Sequence, residues 1–276
     1  MSRPQYAVFG QPIAHSLSPR IHAMFGAQVG IALDYRAIDA GRQDFAKLLE
    51  HFAREGGRGA NVTLPLKQDA LALCAEVSDR ARRCGSANTL IRDGDCWRGD
   101  STDGNGFLRD LRDRHAFEPS EQRCLLIGAG GAARAVAFAL ADAGVVRLVI
   151  ANRTHERAIE LARSIAAADI DAIEIEKLGA AGAFDLIVHA TAAGHGDAEL
   201  GFPRTLVASH TLCYDLSYGS AAVAFLRWAR AAGATRASDG LGMLIEQAAD
   251  SFESWHGQRP DTSPVFAVLQ HGMGAK

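Results

Sequence analysis

The sequence of 276 residues is poor in lysine, since only four of its 29 basic residues are lysines. These four are Lys47, Lys67, Lys177 and Lys276. A guanidinium group stays charged, whereas a lysine ammonium can give up its proton when its surroundings change. A lysine that persists among so many arginines is therefore a candidate for a position where a proton must be exchanged.

Other features that the sequence lacks exclude whole classes of protein. The formal net charge of −3 provides no polycationic surface, so we expect neither a nucleic-acid nor a membrane partner. Five cysteines without a C-x-x-C pair argue against a disulfide framework or a zinc site and favour a reducing compartment. Charged residues interrupt the most apolar region, 124–151, so no membrane span is predicted. A strand-like run already begins at Tyr6, so we expect no signal peptide and a cytoplasmic protein.

The first hundred residues alternate short apolar runs with helix-like stretches. Strands are predicted at 6–9, 33–38 and 59–62, and helices at 18–29 and 44–54. Ser18 is the predicted N-cap of the first helix, because Pro19 follows it at a position that suits the start of a helix. This βαβαβ order predicts a mostly parallel sheet that is covered by helices.

A second alternating region begins near residue 123. Strands are predicted at 124–127, 147–151, 172–176, 185–190 and 211–215, and helices from the glycine turn to 143 and at 154–167, 220–231 and 240–255. Continuous apolar strands are typical of a parallel sheet that is buried on both faces. We predict an α/β protein with two α/β domains, in which the C-terminal helices return to the first. Residues 1–104 plus 240–276 form one domain and residues 105–239 form the other.

A glycine-rich turn is the first functional motif. Gly128, Gly130 and Gly131 follow an apolar strand and open a helix. Such glycines permit a tight turn and let backbone N–H groups approach a pyrophosphate at the positive end of the helix. The position of the turn favours a Rossmann-like nucleotide-binding domain over an ordinary strand-to-helix connection.

The end of the next strand indicates which dinucleotide would bind. An NAD site usually places an acidic residue there, about 20 residues after the glycines, to bind the ribose hydroxyls. This sequence instead has Asn152, Arg153 and Thr154, with Arg157 one helical turn further on. Two guanidinium groups can clamp a 2′-phosphate through charge-assisted hydrogen bonds, so NADP is preferred over NAD. The alternative is that both arginines are solvated cations at the start of a helix.

Three polar clusters in the first region remain, at residues 15–18, 61–67 and 100–104. The serines of the first cluster could bind a carboxylate near a helix N-terminus. Lys67 in the second cluster and Asp103 in the third would make a proton-transfer pair if both faced one substrate oxygen. Taken singly, each cluster could equally be a helix cap or a structural turn.

Together these motifs resemble the shikimate dehydrogenase family. The resemblance is carried, in the order found in the family, by residues 16–19, 61–67, 85–90, 102–104, 128–132, 152–154 and 239–248. It implies an N-terminal substrate domain, an inserted NADP-binding domain and the reversible, NADPH-dependent reduction of 3-dehydroshikimate to shikimate. The substrate ketone would accept a hydride in the cleft between the two domains.

The resemblance also implies roles for individual residues. Lys67 and Asp103 would be the catalytic pair, with Lys67 as the proton carrier. The substrate-binding residues would be Ser16, Ser18, Asn61, Thr63, Lys67, Asn88, Asp103, Tyr218 and Gln247. The cofactor-binding residues would be Gly128, Ala129, Gly130, Gly131, Ala132, Asn152, Arg153, Thr154, Arg157, Leu216 and Gly240.

Two positions depart from the family pattern. His189 stands where the family usually has asparagine, in the segment before Ala190 and Thr191, and Ser86 stands where alanine or a larger hydrophobic residue is more usual. One alternative is therefore a quinate/shikimate dehydrogenase with broader substrate or NAD use, against which Ser18 and the arginine pair argue. Another is a non-catalytic metabolite sensor. Whether the protein is a monomer or a homodimer stays open.

Overall fold

The computed structural model describes residues 3–165, 169–191 and 200–274. It divides the chain into two compact units. Unit 1 comprises Met1–Gly106 and Leu244–Lys276, and unit 2 comprises Phe107–Met243. The chain passes from one unit to the other after Gly106 and again after Met243. The domain limits predicted from the sequence fall after residues 104 and 239.

Unit 1 is built around a mixed sheet. Its strands are β1 Gln5–Gly10, β2 Asp34–Asp39, β3 Gly57–Val62, β4 Glu76–Val77, β5 Thr89–Asp93 and β6 Cys96–Asp100. Its helices are α1 Ser18–Val29, α2 Phe45–Arg54, α3 Lys67–Ala72, α4 Asp79–Cys84, the start of α5 Asp103–His115, most of α9 Leu241–His256, and α10 Ser263–Gly274. The strand order is β2-β1-β3-β5-β6-β4.

The directions of these strands bring several loops to one edge of the sheet. β1 runs parallel to β2 and β3, whereas β5 runs antiparallel to both β3 and β6. The carboxyl ends of β1, β3 and β6 therefore lie at the same edge as the beginning of β5. The residues that follow β1, β3 and β6, and the residue that precedes β5, meet at this edge.

The helices bury their apolar faces on the sheet of unit 1. Phe9 of β1 packs edge-on against Phe45 and Phe52 of α2, with ring centroids 5.6 and 5.7 Å apart. All three rings are buried, and each would bury on the order of 150–250 Å². This packing anchors β1 beneath α2 and so fixes where the loop after β1 begins.

Unit 2 contains an all-parallel sheet. Its strands are β7 Arg123–Ile127, β8 Arg147–Ala151, β9 Ile170–Ile173, β10 Phe184–His189, β11 Val207–Asp215 and β12 Arg236–Ser238. The helices between them are α6 Gly131–Asp142, α7 His155–Ser164 and α8 Val223–Ala231. The strand order β9-β8-β7-β10-β11-β12 is that of a dinucleotide-binding domain, in which the ligand binds where the order reverses, between β7 and β10. The predicted fold class is confirmed.

Several predicted elements differ from those in the structure. The strand predicted at 172–176 ends at Ile173, and a 3₁₀ helix, Ile175–Ala180, follows it. The helix predicted at 154–167 ends at Ser164, and 166–168 lie outside the described residues. Ser18 is the first residue of α1 and not its N-cap, because Leu17 occupies that position. The hairpin of β5 and β6 was not predicted.

The structure also bears on the membrane and metal predictions. None of the helices in the described ranges is both long and apolar enough to cross a membrane. Among the same residues, no three His, Cys, Asp or Glu side chains are grouped so that they could hold a metal ion.

Candidate active site

Lys67 and Asp103 form a nearly buried ion pair at the edge of the unit 1 sheet where β1, β3 and β6 end. Nζ of Lys67 lies 2.6 Å from Oδ2 of Asp103, and the two side chains are 12% and 6% exposed. Lys67 is the first residue of α3, just after β3, and Asp103 is the first residue of α5, just after β6. Since both strands end at the same edge, residues 36 positions apart in the sequence meet as a charge-assisted hydrogen bond.

Asn88 connects this pair to α9. Its Nδ2 donates to Oδ1 of Asp103 at 2.9 Å and lies 3.1 Å from Oε1 of Gln247. Its Oδ1 accepts from the backbone N–H of Thr102 at 2.8 Å, which fixes the orientation of the amide. Nδ2 also lies 2.9 Å from Oγ1 of Thr102, so its two protons have three acceptors within reach. A ligand can therefore replace one acceptor without leaving the amide unpaired.

Asn61 faces inward from β3. The hydroxyl of Tyr35 donates to Oδ1 of Asn61 at 2.8 Å, and Nδ2 of Asn61 donates to Oγ of Ser251 at 2.9 Å and to the backbone carbonyl of Asn88 at 3.2 Å. Burial raises the pKa of Tyr35 well above the usual tyrosine value, so its hydroxyl keeps its proton. The amide of Asn61 is thus occupied by protein groups, and it holds β3 against α9 and Asn88.

The serines and threonine predicted to bind the substrate lie at the same edge of unit 1, Ser16 and Thr63 in loops and Ser18 as the first residue of α1. Oγ of Ser16 accepts from the backbone N–H of Ser18 at 3.3 Å, and the side chain of Ser18 is buried. Thr63 follows β3 and is half-buried. A Cβ at Gly10 would lie 3.0 Å from the carbonyl oxygen of Leu64 and would overlap the methyl group of Thr63. Glycine at this position lets the loops after β1 and β3 lie side by side.

In unit 2 the predicted cofactor residues begin at the glycine turn after β7. Gly128 has a φ of 129°, and a Cβ there would lie 2.6 Å from the carbonyl oxygen of Ala190. Gly130 has an ordinary φ of −80°, and among the described residues no atom other than those of its chain neighbours lies within 4 Å of a Cβ built on it. Gly128 is therefore required by the fold, whereas the space above Gly130 is open to a ligand at the N-terminus of α6.

The residues after β8 fit a 2′-phosphate. Arg153 and Arg157 are exposed, and within the described ranges neither guanidinium has a hydrogen-bond or ion-pair partner. Nδ2 of Asn152 donates to the carbonyl of Thr154 at 2.8 Å, just before α7 begins. Two unpaired guanidinium groups one helical turn apart can accept a dianionic group, so this donor set suits NADP better than NAD.

Leu216 and Gly240 complete the predicted cofactor set within unit 2. The N–H of Leu216 donates to the carbonyl of His189, and the N–H of Gly240 donates to the carbonyl of Ser217, each at 2.8 Å. A Cβ at Gly240 would overlap the carbonyl group of Leu216. The backbone after β11 and the backbone before α9 are thus in direct contact, which requires glycine at position 240.

The structure distributes the predicted site residues between the two units. Unit 1 contains eight of the nine predicted substrate-binding residues, and unit 2 contains Tyr218 together with all the predicted cofactor residues. Tyr35, Thr102 and Ser251, which surround Asn61 and Asn88, were missed. Signals existed for Thr102, which lies in the polar cluster 100–104, and for Ser251, which lies one helical turn after Gln247 on α9.

Comparison with known families agrees with this arrangement. Residues 8–90 match the model of the shikimate dehydrogenase substrate binding domain, and residues 111–197 match that of shikimate / quinate 5-dehydrogenase. Residues 240–270 match the shikimate 5′-dehydrogenase C-terminal domain. The chain belongs to the shikimate dehydrogenase family. This confirms the family that was predicted from the motifs.

Individual known proteins are similar over nearly the whole chain. The NADP(+) shikimate dehydrogenase of Xanthomonas euvesicatoria is 55% identical over 96% of this chain and 95% of its own length. The Ael1 enzyme of Pseudomonas putida has a TM-score of 0.89 at 37% identity, covering 96% of this chain and 98% of that one. Shikimate 5-dehydrogenase of Thermus thermophilus, solved with NADP(H) and shikimate, has a TM-score of 0.85 at 35% identity, covering 97% and 99%.

Proposed function

We propose that this protein catalyses the reversible, NADPH-dependent reduction of 3-dehydroshikimate to shikimate. The observation that carries the proposal is the Lys67–Asp103 pair, with Nζ and Oδ2 2.6 Å apart and both side chains nearly buried. The NADP(+) shikimate dehydrogenase of Xanthomonas, 55% identical, supports the same reaction. The protein is thus an oxidoreductase that acts on a secondary alcohol and a ketone, a step towards aromatic amino acids.

The reaction requires a hydride on the carbonyl carbon and a proton on the carbonyl oxygen. NADPH supplies the hydride when it is bound. Lys67 stabilises the negative charge that develops on the oxygen, and its ammonium donates the proton. Asp103 holds the ammonium in place through Oδ2 while Asn88 holds Oδ1. The lysine side chain is 12% exposed, so it can recover a proton from solvent after each turnover.

The substrate is proposed to bind to unit 1. The hydroxyls of Ser16 and Ser18 bind its carboxylate. Thr63, Asn88 and Gln247 bind its ring hydroxyls, and Asn88 can exchange one of its three acceptors for a substrate oxygen. For Asn61 we propose that it holds the backbone of Asn88 in place, because the Asn61 amide already donates to the Asn88 carbonyl and to Ser251. Tyr218 of unit 2 is proposed to approach the substrate as well.

The cofactor is proposed to bind to unit 2. The pyrophosphate lies on the turn formed by Gly128, Ala129, Gly130, Gly131 and Ala132, where the backbone at Gly130 is open. Asn152, Arg153, Thr154 and Arg157 hold the adenosine 2′-phosphate. Leu216 and Gly240 border the nicotinamide end.

Two alanine substitutions in the glycine turn test the cofactor site. We expect Gly130→Ala to leave the free energy of unfolding within about 1 kcal/mol of wild type, because its Cβ would approach no atom of the described part of the chain beyond its own neighbours. The same methyl group would obstruct the pyrophosphate and weaken NADPH binding roughly 10- to 100-fold. Gly128→Ala should instead lose roughly 2–4 kcal/mol of stability, because φ is positive and Ala190 is in the way. Urea unfolding and NADPH titration measure both effects, and wild-type NADPH affinity in Gly130→Ala would contradict the proposed site.

A comparison of initial rates tests the substrate and the cofactor. Shikimate and quinate are each oxidised with NADP and with NAD, and we expect shikimate with NADP to be the preferred pair. NAD lacks the 2′-phosphate, so kcat/KM with NAD should be roughly 10- to 100-fold lower. Arg153→Ala should reduce this preference, whereas Arg163→Ala, which changes an exposed arginine in the last turn of α7, should not.

Each other outcome of this comparison identifies an alternative. Rates with quinate or NAD equal to those with shikimate and NADP would indicate a quinate/shikimate dehydrogenase of broader use. Binding of shikimate without turnover would indicate a metabolite sensor, which the Lys67–Asp103 pair argues against.

We propose that the enzyme is cytoplasmic, because all five cysteines are free thiols, as in a reducing compartment.

A further inference from the structure

Three hydrogen-bonded side chains, Asp215, His189 and Thr191, lie at the carboxyl ends of β10 and β11 in unit 2. His189 and Asp215 are the last residues of these strands and are partners in register. Nδ1 of His189 lies 2.9 Å from Oδ2 of Asp215, and Oγ1 of Thr191 lies 2.7 Å from Nε2 of His189. Both distances are those of good hydrogen bonds, so the three groups form one connected chain.

The carboxylate and the tautomer of His189 together set the direction of both hydrogen bonds. Asp215 can only accept, and its other oxygen, Oδ1, accepts from the N–H of Ser217 at 2.8 Å. Nδ1 of His189 therefore carries a proton, and in the tautomer that has only this proton Nε2 is an acceptor. The hydroxyl of Thr191 donates its proton to Nε2. Its oxygen keeps free lone pairs but has no proton left to donate.

Packing fixes the imidazole and, through it, the hydroxyl of Thr191. His189 and Asp215 are buried. The ring of His189 stacks on Phe225 with centroids 4.9 Å apart and an interplanar angle of 8°. It also contacts the edge of Phe202 at 6.2 Å. Stacking on Phe225 and hydrogen bonds at both nitrogens fix the orientation of the ring. Thr191 itself is half-buried and reaches the surface of unit 2.

The position of Thr191 relative to the glycine turn identifies the ligand group that it would meet. The N–H of Ala190 donates to the carbonyl of Ile127 at 2.7 Å, so the segment after β10 lies directly beside the turn after β7. The arginines proposed for the 2′-phosphate follow β8, on the opposite side of β7 from β10. A dinucleotide that crosses this point with its adenosine half over β8 places its nicotinamide half over β10.

We propose that Thr191 accepts a hydrogen bond from the nicotinamide half of NADP(H) and that His189 is the positioning residue that orients it. The donors in that half are the carboxamide N–H and the ribose hydroxyls. An oxygen whose proton is committed to Nε2 can accept from either, whereas it offers nothing to a phosphate oxygen. The inference takes the identity of the cofactor from the proposed function, and the chain of contacts from the structure.

Substitutions of Thr191 test the acceptor directly. In the full chain, Thr191→Val removes the hydroxyl at nearly constant volume, and Thr191→Ser retains it. We expect Val to raise the Kd for NADPH, measured by nicotinamide fluorescence, roughly five- to tenfold, and Ser to change it less than about twofold. A wild-type Kd in Thr191→Val would overturn the proposal.

A cofactor fragment separates this contact from a general disturbance of unit 2. Adenosine 2′,5′-bisphosphate contains the 2′-phosphate half of NADP but no nicotinamide. Its Kd, measured by calorimetry, should be the same in wild type and in Thr191→Val. An equal loss of affinity for the fragment and for NADPH would mean that Thr191 has only a structural role, and the proposal would be wrong.

A double-mutant cycle tests the positioning role of His189. His189→Asn can still donate to Asp215 but is too short to reach Thr191, so it should raise the Kd for NADPH roughly three- to tenfold. Adding Thr191→Val to it should then cost less than about twofold. Equal costs of Thr191→Val in both backgrounds would refute the coupling.

A second variant keeps the test decisive should His189→Asn be too unstable to assay. His189→Gln places an amide oxygen near the position of Nε2, so it should retain the Kd of wild type, and a tenfold rise would count against the proposal. The proposed function is judged separately, by wild-type turnover of shikimate with NADP. If wild type turns over shikimate but Thr191 and His189 are not coupled in NADPH binding, only this inference is rejected. If the two residues are coupled but shikimate is not turned over, only the proposed function is rejected.

Discussion

Lys67→Met is expected to lower kcat for shikimate oxidation roughly 100- to 10,000-fold, the contribution typical of a positioned general acid or base. The thioether can neither donate a proton nor stabilise the developing charge on the oxygen. Lys67 lies in unit 1, whereas the proposed cofactor residues lie in unit 2, so the Kd for NADPH should stay close to the wild-type value. Steady-state kinetics and NADPH titration on the same preparation measure the two quantities, and near-wild-type turnover would rule out the assignment.

A set of lysine-to-arginine substitutions is the matched control. Lys67→Arg keeps a cation beside Asp103 but introduces a guanidinium, which does not release its proton. We expect it to be nearly as inactive as Lys67→Met. Lys47 is exposed on α2, and Lys177 pairs with Glu174 at the surface, at 3.0 Å, so Lys47→Arg and Lys177→Arg should retain wild-type kcat. High activity of Lys67→Arg would show that the charge alone is required.

The second large effect is a loss of stability in acid that depends on His22. The ring of His22 is fully buried in unit 1 and stacks on Tyr35 with centroids 4.3 Å apart. Burial lowers its pKa to about 3, from the usual value near 6.5. Between these values the unfolded chain binds a proton that the folded chain does not. Stability is therefore complete above about pH 6.5 and falls as the pH is lowered, by up to about 1.4 kcal/mol per pH unit.

Replacing His22 isolates this contribution. In His22→Phe a ring still stacks on Tyr35 but cannot be protonated, so the free energy of unfolding should fall less steeply between about pH 6.5 and pH 4.5. Urea unfolding across this range measures the slopes. Burial also lowers the pKa of His256, so part of the slope should persist in the His22 variant. An unchanged slope in His22→Phe would contradict the assignment.

Unit 2 was largely predictable because its signals are local. Each signal can be read from a few neighbouring residues: the apolar run at 124–127, the glycines that follow it, and the arginine at 153. The parallel sheet follows from the alternation of strands and helices. The error at β9 has a local cause as well. Residues 174–176 continue a strand-like pattern, but the chain turns into a 3₁₀ helix at Ile175.

Unit 1 was less predictable because its site depends on a hairpin of short strands. β5 and β6 contain five residues each and are joined across Gly94, whose φ of 56° suits a tight turn. The sequence Asp93-Gly94 was the available signal. Asn88 and Asp103 come together only because β5 runs antiparallel to β3 and β6. A prediction that omits the hairpin therefore cannot place these two side chains side by side.

The sequence by itself determined which chemical groups this protein has for its reaction. Seven motifs in one order specify the family, and Lys67 is the only one of the four lysines that lies in such a motif. Only the tertiary structure decided which atoms face one another. It pairs Lys67 with Asp103, turns Asn61 inward towards Tyr35, and links His189 to Asp215. The physical reason is that strand direction and register bring together residues far apart in the chain, and no local pattern of side chains encodes that juxtaposition.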